Sequence, residues 1–189
     1  MGTVQSKLFV ISGPSGAGKG TLVARVREQR SNLGLTVSAT TRKPREGEVE
    51  GVNYYFLTRD EFERRVEAGA FVEWAEVHGN CYGTLVSEVE SKLASGNSLI
   101  LEIDVQGALQ VKKRFPDAVL VFIKPPSLEI LRERLVGRGS ETPESLELRL
   151  ADAQGELELA DRYDDVVVND DLDRATEELV RVLDKHERI

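Results

Sequence analysis

The chain has 189 residues, with 25 Lys and Arg against 33 Asp and Glu, a net charge of −8. That balance excludes a protein that grips nucleic acid through a broad basic face, so any anionic ligand must be met by a local gathering of donors. A single cysteine, Cys81, and two histidines, His78 and His186, exclude a disulfide framework and a multi-thiolate zinc site and leave little for a histidine metal centre. The longest apolar run, residues 118–123, is far short of the about 20 residues that span a bilayer. Leu8-Phe9-Val10-Ile11 is too brief for a signal-peptide core. A reduced, cytoplasmic, soluble protein is expected, with no membrane or nucleic-acid partner.

In chain order, residues 7–12 read as a buried strand, followed by a glycine-rich turn and a helix to about residue 30. Residues 36–95 break the rhythm. They hold short strand candidates (36–39, 54–57, 71–77 and 80–84) and one clear helix, opened by the capping box Thr58-Arg59-Asp60-Glu61. Further core strands are expected at 98–104, 118–124 and 164–168, each followed by a helix, at 106–114, 128–136 and 172–186. Residues 126–163 are helical and highly charged, and Thr142-Pro143 supplies an N-cap followed by proline at the first helical position. The expected class is α/β: a parallel sheet flanked by helices, formed by residues 1–35, 96–125 and 164–189. Residues 36–95 would be a small mixed or antiparallel insertion and 126–163 a helical lid.

Gly13-Pro14-Ser15-Gly16-Ala17-Gly18-Lys19 lies between the first strand and the first helix, the context a phosphate-binding loop requires. Glycines let successive backbone N–H groups turn toward phosphate oxygens, the helix N-terminus adds positive potential, and Lys19 can reach the β- and γ-phosphates. Residue 20 is Gly where most such loops carry the Ser or Thr that ligates Mg²⁺, and Thr21 comes one position later. Magnesium is therefore expected to be held by ATP oxygens and water.

Thr40-Thr41-Arg42-Lys43-Pro44-Arg45-Glu46-Gly47-Glu48 concentrates cations in a segment stiffened by Pro44. A solvated surface is the ordinary reading of a charge run, but Arg42 and Arg45 could also clamp a monophosphate with their forked donors. The downstream sequence decides between these. With Ala39 before it and Gly51-Val52-Asn53-Tyr54-Tyr55-Phe56 after it, the segment resembles the signature of the guanylate kinases. So do Phe71-Val72-Glu73-Trp74-Ala75, Tyr82-Gly83-Thr84, Glu102-Ile103-Asp104-Val105-Gln106-Gly107, Gly137-Arg138-Gly139 and Val167-Val168-Asn169-Asp170, all in family order from about Phe9 to Leu183.

The resemblance implies that Arg42, Arg45 and Tyr54 hold the GMP phosphate, with Tyr82 also touching it, and that Ser38, Glu73 and Thr84 read guanine. The chemistry agrees: an ionised Glu73 can accept from guanine N1–H and N2–H while a hydroxyl donates to O6, and adenine would leave buried groups unpaired. Asp104 is expected near GMP or the water around Mg²⁺, on the same strand face as Glu102. The resemblance further implies that Arg134, Arg138 and Arg149 grip the transferring phosphoryl with Lys19 and Arg42. ATP would contact Gly13 to Lys19, then Gly20 and Thr21, with Asn169 beside adenine. The expected reaction is Mg·ATP plus GMP to ADP plus GDP, with catalysis by positioning and charge neutralisation. Two alternatives are a non-catalytic guanylate-kinase-like binding module, which would have lost the loop and arginines, and a nucleoside monophosphate kinase for another base, which would lack the Ser38, Glu73 and Thr84 set.

Overall fold

The computed structural model describes residues 5–77, 79–137 and 143–187. Its centre is β1 (Leu8–Ser12), buried along its whole length. A strand covered on both faces needs apolar residues at every position, and this one pairs in parallel with β7 (Ser98–Glu102) and β8 (Val119–Lys124). Outside these lie β2 (Leu33–Leu35) and β9 (Asp165–Val168), also parallel, giving the order β2-β7-β1-β8-β9.

Alternation along β1 divides the core in two. Phe9 and Ile11 point to one face with Ile100, Val121 and Ile123, against α1 (Lys19–Gln29) and α7 (Leu172–Glu187). Leu8 and Val10 point to the other with Leu99, Leu101, Leu120 and Phe122. That face is covered by α3 (Val86–Ala94) and α4 (Val105–Arg114). Each large side chain removed from water here contributes roughly 1.5–3 kcal/mol, so the two clusters hold the sheet rigid beneath the loops at its C-terminal edge.

A second, mixed sheet has the order β4-β3-β6-β5, from β3 (Ala39–Thr40), β4 (Tyr55–Phe56), β5 (Phe71–Val77) and β6 (Asn80–Leu85). β6 runs antiparallel to β3 and β5, while β3 and β4 are parallel. One face is covered by α2 (Arg59–Glu67), whose Phe62 stacks on Phe71 at 4.3 Å between ring centroids. Thr58 caps α2 by accepting from the Glu61 N–H, half of the expected box; the Glu61 carboxylate accepts from Arg65. Cys81 is buried in this cluster.

Helices α5 (Leu128–Gly137) and α6 (Pro143–Leu157) pack through Leu131, Leu135, Leu146 and Ala153, and Pro143 is the first residue of α6. Thr142, Arg138 and Gly139, like His78, lie outside the described residues. His186, in the last turn of α7, sits 2.5 Å from Asp165 at the start of β9. Among the described residues no helix is long and apolar enough to cross a membrane.

Three expectations are corrected. Of the strand expected at residues 36–39 only Ala39 is in one, as the first residue of β3; residues 36–38 cross from β2 to β3, because Leu33-Gly34-Leu35 takes the sheet edge beside β7. Helix α3 was not anticipated, although Val86, Val89 and Leu93 share a face and pack on the core. β7 ends at Glu102, so Asp104 does not share a strand face with it; Asp104 is the N-cap of α4, its Oδ1 accepting from Gly107 N–H at 2.7 Å.

Candidate active site

Two groups of side chains gather at the C-terminal edge of the parallel sheet and on the adjoining mixed sheet. The first surrounds the turn between β1 and α1. Gly13 and Gly18 both hold left-handed backbone with no room for a side chain: a Cβ would lie 2.2 Å from Ile123 O at Gly13 and 2.3 Å from Asn169 Nδ2 at Gly18. The first turn of α1 carries no acid, so its positive end is not neutralised by its own side chains. Lys19 folds back along the loop, donating to Gly13 O at 2.5 Å and Pro14 O at 3.2 Å.

Two of the expected lid arginines reach the same loop from different helices. Arg134 on α5 donates to Asn169 O at 2.7 Å and Ala17 O at 3.5 Å, and Arg149 on α6 donates to Ser15 Oγ at 3.0 Å. Arg138 lies outside the described residues. Asn169, buried, donates from Nδ2 to Ala17 O at 2.8 Å, so its amide braces the loop from beneath. A cavity of about 440 Å³ on this side is lined by Thr21, Arg134, Asn169 and Leu172 among others, space on the scale of a nucleoside.

Glu102 borders the loop at Gly20, where a Cβ would stand 3.6 Å from Oε1. The surrounding protein pushes its carboxyl upward, with Lys19 opposing. Among the described residues no three His, Cys, Asp or Glu side chains could hold a metal ion together.

The second group lies on the mixed sheet. Arg42 pairs with Glu48 through both oxygens, at 2.8 and 3.0 Å, and lies over the Tyr54 ring with Cζ 5.3 Å from its centroid. Tyr82 packs edge-on against Tyr54, centroids 6.1 Å apart. Glu48 also accepts from Arg45 N–H at 2.8 Å, while the Arg45 side chain is exposed. The bond from Arg42 drives the Glu48 carboxyl down to about 2, so it is ionised at any physiological pH. Because a guanidinium carries more N–H groups than Glu48 and Lys43 engage here, Arg42 is both anchored and able to meet an anion. Sequence reasoning quoted Glu48 within a motif without giving it a role; an acid six residues after an arginine, across a glycine turn, was the available signal. Glu48→Gln is expected to raise KM for a phosphate-bearing substrate of this cluster about tenfold with a smaller change in kcat, read from steady-state kinetics.

Further along the sheet, Glu73 is 8% exposed and its Oε1 accepts from Thr84 Oγ1 at 2.8 Å. Burial pushes its carboxyl up to about 7, with the Thr84 hydroxyl opposing and the Asp104 charge adding to the rise. The start of α4 lies close by, since a Cβ at Gly107 would sit 3.4 Å from Glu73 Oε2, an approach the sequence did not disclose. Ser38 is half-buried and its carbonyl accepts from Tyr55 N–H at 2.9 Å. A cavity of about 570 Å³ opens between β5, the start of α4 and α6, with Asp104, Gln106, Asp152 and Glu156 in its wall. Its acidic lining disfavours a phosphate, which would be drawn to the cationic clusters on either side.

A profile of the guanylate kinase family matches residues 5–186. A guanylate kinase of Gloeobacter violaceus is 55% identical over 178 residues, covering 94% of this chain and 87% of that protein. One from Synechocystis sp. is 49% identical over 185 residues, covering 98% and 97%. The crystal structure of guanylate kinase from Anaplasma phagocytophilum aligns with a TM-score of 0.75 at 34% identity, covering 99% of this chain and 89% of that one.

Proposed function

The chain belongs to the guanylate kinase family and is an ATP:GMP phosphotransferase, and we propose that the two groups of side chains described above carry the reaction. A GMP phosphate oxygen attacks the γ-phosphorus of ATP, the bond to the β–γ bridging oxygen breaks, and ADP and GDP are formed. The nucleophile is already ionised at neutral pH, so the protein's work is alignment and charge neutralisation. Lys19 and the backbone N–H groups from Gly13 to Lys19 meet the ATP phosphates, with Gly20 and Thr21 at the start of α1. Arg134, Arg138 and Arg149 neutralise the migrating phosphoryl. On the acceptor side Arg42, Arg45, Tyr54 and Tyr82 hold the GMP phosphate, and Ser38, Glu73 and Thr84 read the base. Asn169 serves the ATP side by holding the Ala17 carbonyl.

Mg²⁺ bound with ATP would supply further neutralisation of the phosphates. Gly20 has no hydroxyl to offer it, so Glu102 beside the loop and Asp104 at the cap of α4 are the carboxylates that would hold its water. The division into core (1–35, 96–125 and 164–189), GMP-binding insertion (36–95) and lid (126–163) belongs to the same proposal. Two packing facts support a lid that docks on the core: Arg149 on α6 bonds Ser15, and α5 packs Leu131 and Leu135 under Gly16.

The buried Glu73–Thr84 pair, on the sheet that carries Arg42, Tyr54 and Tyr82, is the observation that carries the reading. A carboxylate buried at a cost is explained by a ligand with paired N–H donors, which guanine presents and adenine does not. The retained loop lysine and lid arginines speak against a non-catalytic binding module. The test is ATP-dependent ADP release with GMP, AMP, UMP and CMP offered in turn. GMP is expected to exceed AMP by about 10⁴-fold in kcat/KM. Activity with another base would overturn the reader assignment, and activity with none would overturn the transferase reading.

A further inference from the structure

The chain passes between its two sheets twice, and one buried carboxylate ties both passages together. On the outward passage, residues 36–38, Thr36 N–H is still bonded to Ile100 O at 3.0 Å, while Ser38 O already accepts from Tyr55 N–H. The return is at Leu85, the last residue of β6 and the N-cap of α3. Glu88, in the first turn of α3, stands between them and is 8% exposed. Its Oε1 accepts from Val37 N–H at 3.0 Å and Lys92 Nζ at 2.6 Å; its Oε2 accepts from the Tyr55 hydroxyl at 2.9 Å. Lys92 Nζ also donates to Leu35 O at 2.7 Å, at the end of β2. Burial works against the charge, but Lys92, the Val37 N–H and the Tyr55 hydroxyl outweigh it and hold the carboxyl below its usual range.

We propose that Glu88 is a positioning residue for GMP: it fixes the crossing that carries Ser38 and the strand that follows Tyr54, and so sets where the GMP-holding sheet stands relative to the phosphate loop. The inference rests on the assignment of Ser38, Tyr54, Glu73 and Thr84 to GMP. Only a carboxylate suits the place, because every group facing it donates. A glutamine must turn its amide nitrogen toward one of them; the Tyr55 hydroxyl can rotate to accept, whereas the Val37 N–H cannot. Without the brace, the crossing has alternative arrangements, and GMP must select the competent one at a cost in apparent affinity. ATP, held by the loop on the rigid parallel sheet, is spared that cost.

The test is steady-state kinetics with GMP and ATP varied separately for Glu88→Ala, Glu88→Gln and Tyr55→Phe, at a temperature where circular dichroism shows each variant folded. KM for GMP is expected to rise about tenfold in Glu88→Ala, and less in Glu88→Gln and Tyr55→Phe, with KM for ATP nearly unchanged. A lowered Tm with both KM values unmoved, or an equal rise in both, overturns the proposal. Should Glu88→Ala fail to fold, the same comparison in Glu88→Gln and Tyr55→Phe decides. Failure of the GMP assignment itself would show first in the unmutated protein, as absence of saturation by GMP.

Discussion

Replacing Lys19 by Ala is expected to lower kcat about 10³-fold, the scale at which removal of one well-placed cation from a charge-developing transition state is felt. In a protein of net charge −8, substrates carrying several negative charges depend on a few local cations, and Lys19 is the one fixed to the loop itself. The arginines come from α5 and α6, so their arrival depends on how those helices sit, whereas Lys19 is carried by the first residue of α1. Its bonds to Gly13 O and Pro14 O also close the loop on itself, so part of the loss will be in ATP affinity. The core does not depend on it: the clusters beneath β1 are built from Phe9, Ile11, Leu22 and their neighbours. Far-ultraviolet circular dichroism and Tm should therefore stay near those of the unmutated protein while single-turnover rates collapse. Near-normal turnover would contradict the placement of the reaction at this loop.

The parts of this site legible in the sequence are those written in contiguous residues. β1 could be read because a strand buried on both faces must be apolar throughout, and the loop because its left-handed positions demand glycine. The mixed sheet was harder. Its strands β3 and β4 are two residues each, held by pairing with segments up to 44 residues away, such as Ala39 with Gly83. Strand β2 was missed because Leu33-Gly34-Leu35 is short and glycine-interrupted, and only its partner β7 identifies it. Helix α3 follows β6 directly and starts without a side-chain cap, so no local signal marks its beginning and its packing on the core identifies it. Asp104 was assigned to a strand because the apolar run before it continues through Ile103; the cap on α4 that ends that strand is a tertiary decision.

Which polar groups face each other is harder to read, and of the three cases here only the Arg42–Glu48 spacing left a signal in the sequence. Glu48 answering Arg42, Asn169 answering Ala17 and Glu88 answering Val37 and Tyr55 join residues 6, 152, 51 and 33 positions apart. These contacts share a physical effect. Each gives a polar group a fixed partner: the Arg42 guanidinium and Tyr55 hydroxyl are held in one orientation, and the Ala17 carbonyl and Val37 N–H are satisfied.

On the proposed reading Glu73 is the reverse, a carboxyl whose charge burial disfavours until guanine arrives, and Glu73→Gln should therefore trade function against stability. With its carboxyl at about 7, the free protein below that pH carries Glu73 protonated, whereas guanine N1–H and N2–H select the ionised form. The kcat/KM for GMP should accordingly rise with pH through about 7 and level off above it. The GMP phosphate itself titrates near about 6; Glu73→Gln separates the two, since it should abolish the upper step and keep the lower. Its kcat/KM for GMP should fall about 10³-fold, because the amide nitrogen faces donors it cannot accept from.

The stability change has the opposite sign. A carboxyl whose folded value lies above its unfolded one contributes stability that is full below about 4.5 and is lost as pH rises through about 7. At pH 8 the unliganded protein thus carries a burden of about 3 kcal/mol at most, which glutamine does not share. Glu73→Gln should raise Tm at pH 8 and leave it nearly unchanged at pH 4.5, measured by calorimetry without nucleotide. A lowered Tm at pH 8, or a pH profile for GMP identical to that of the unmutated protein, would show that the carboxylate is not the group guanine selects.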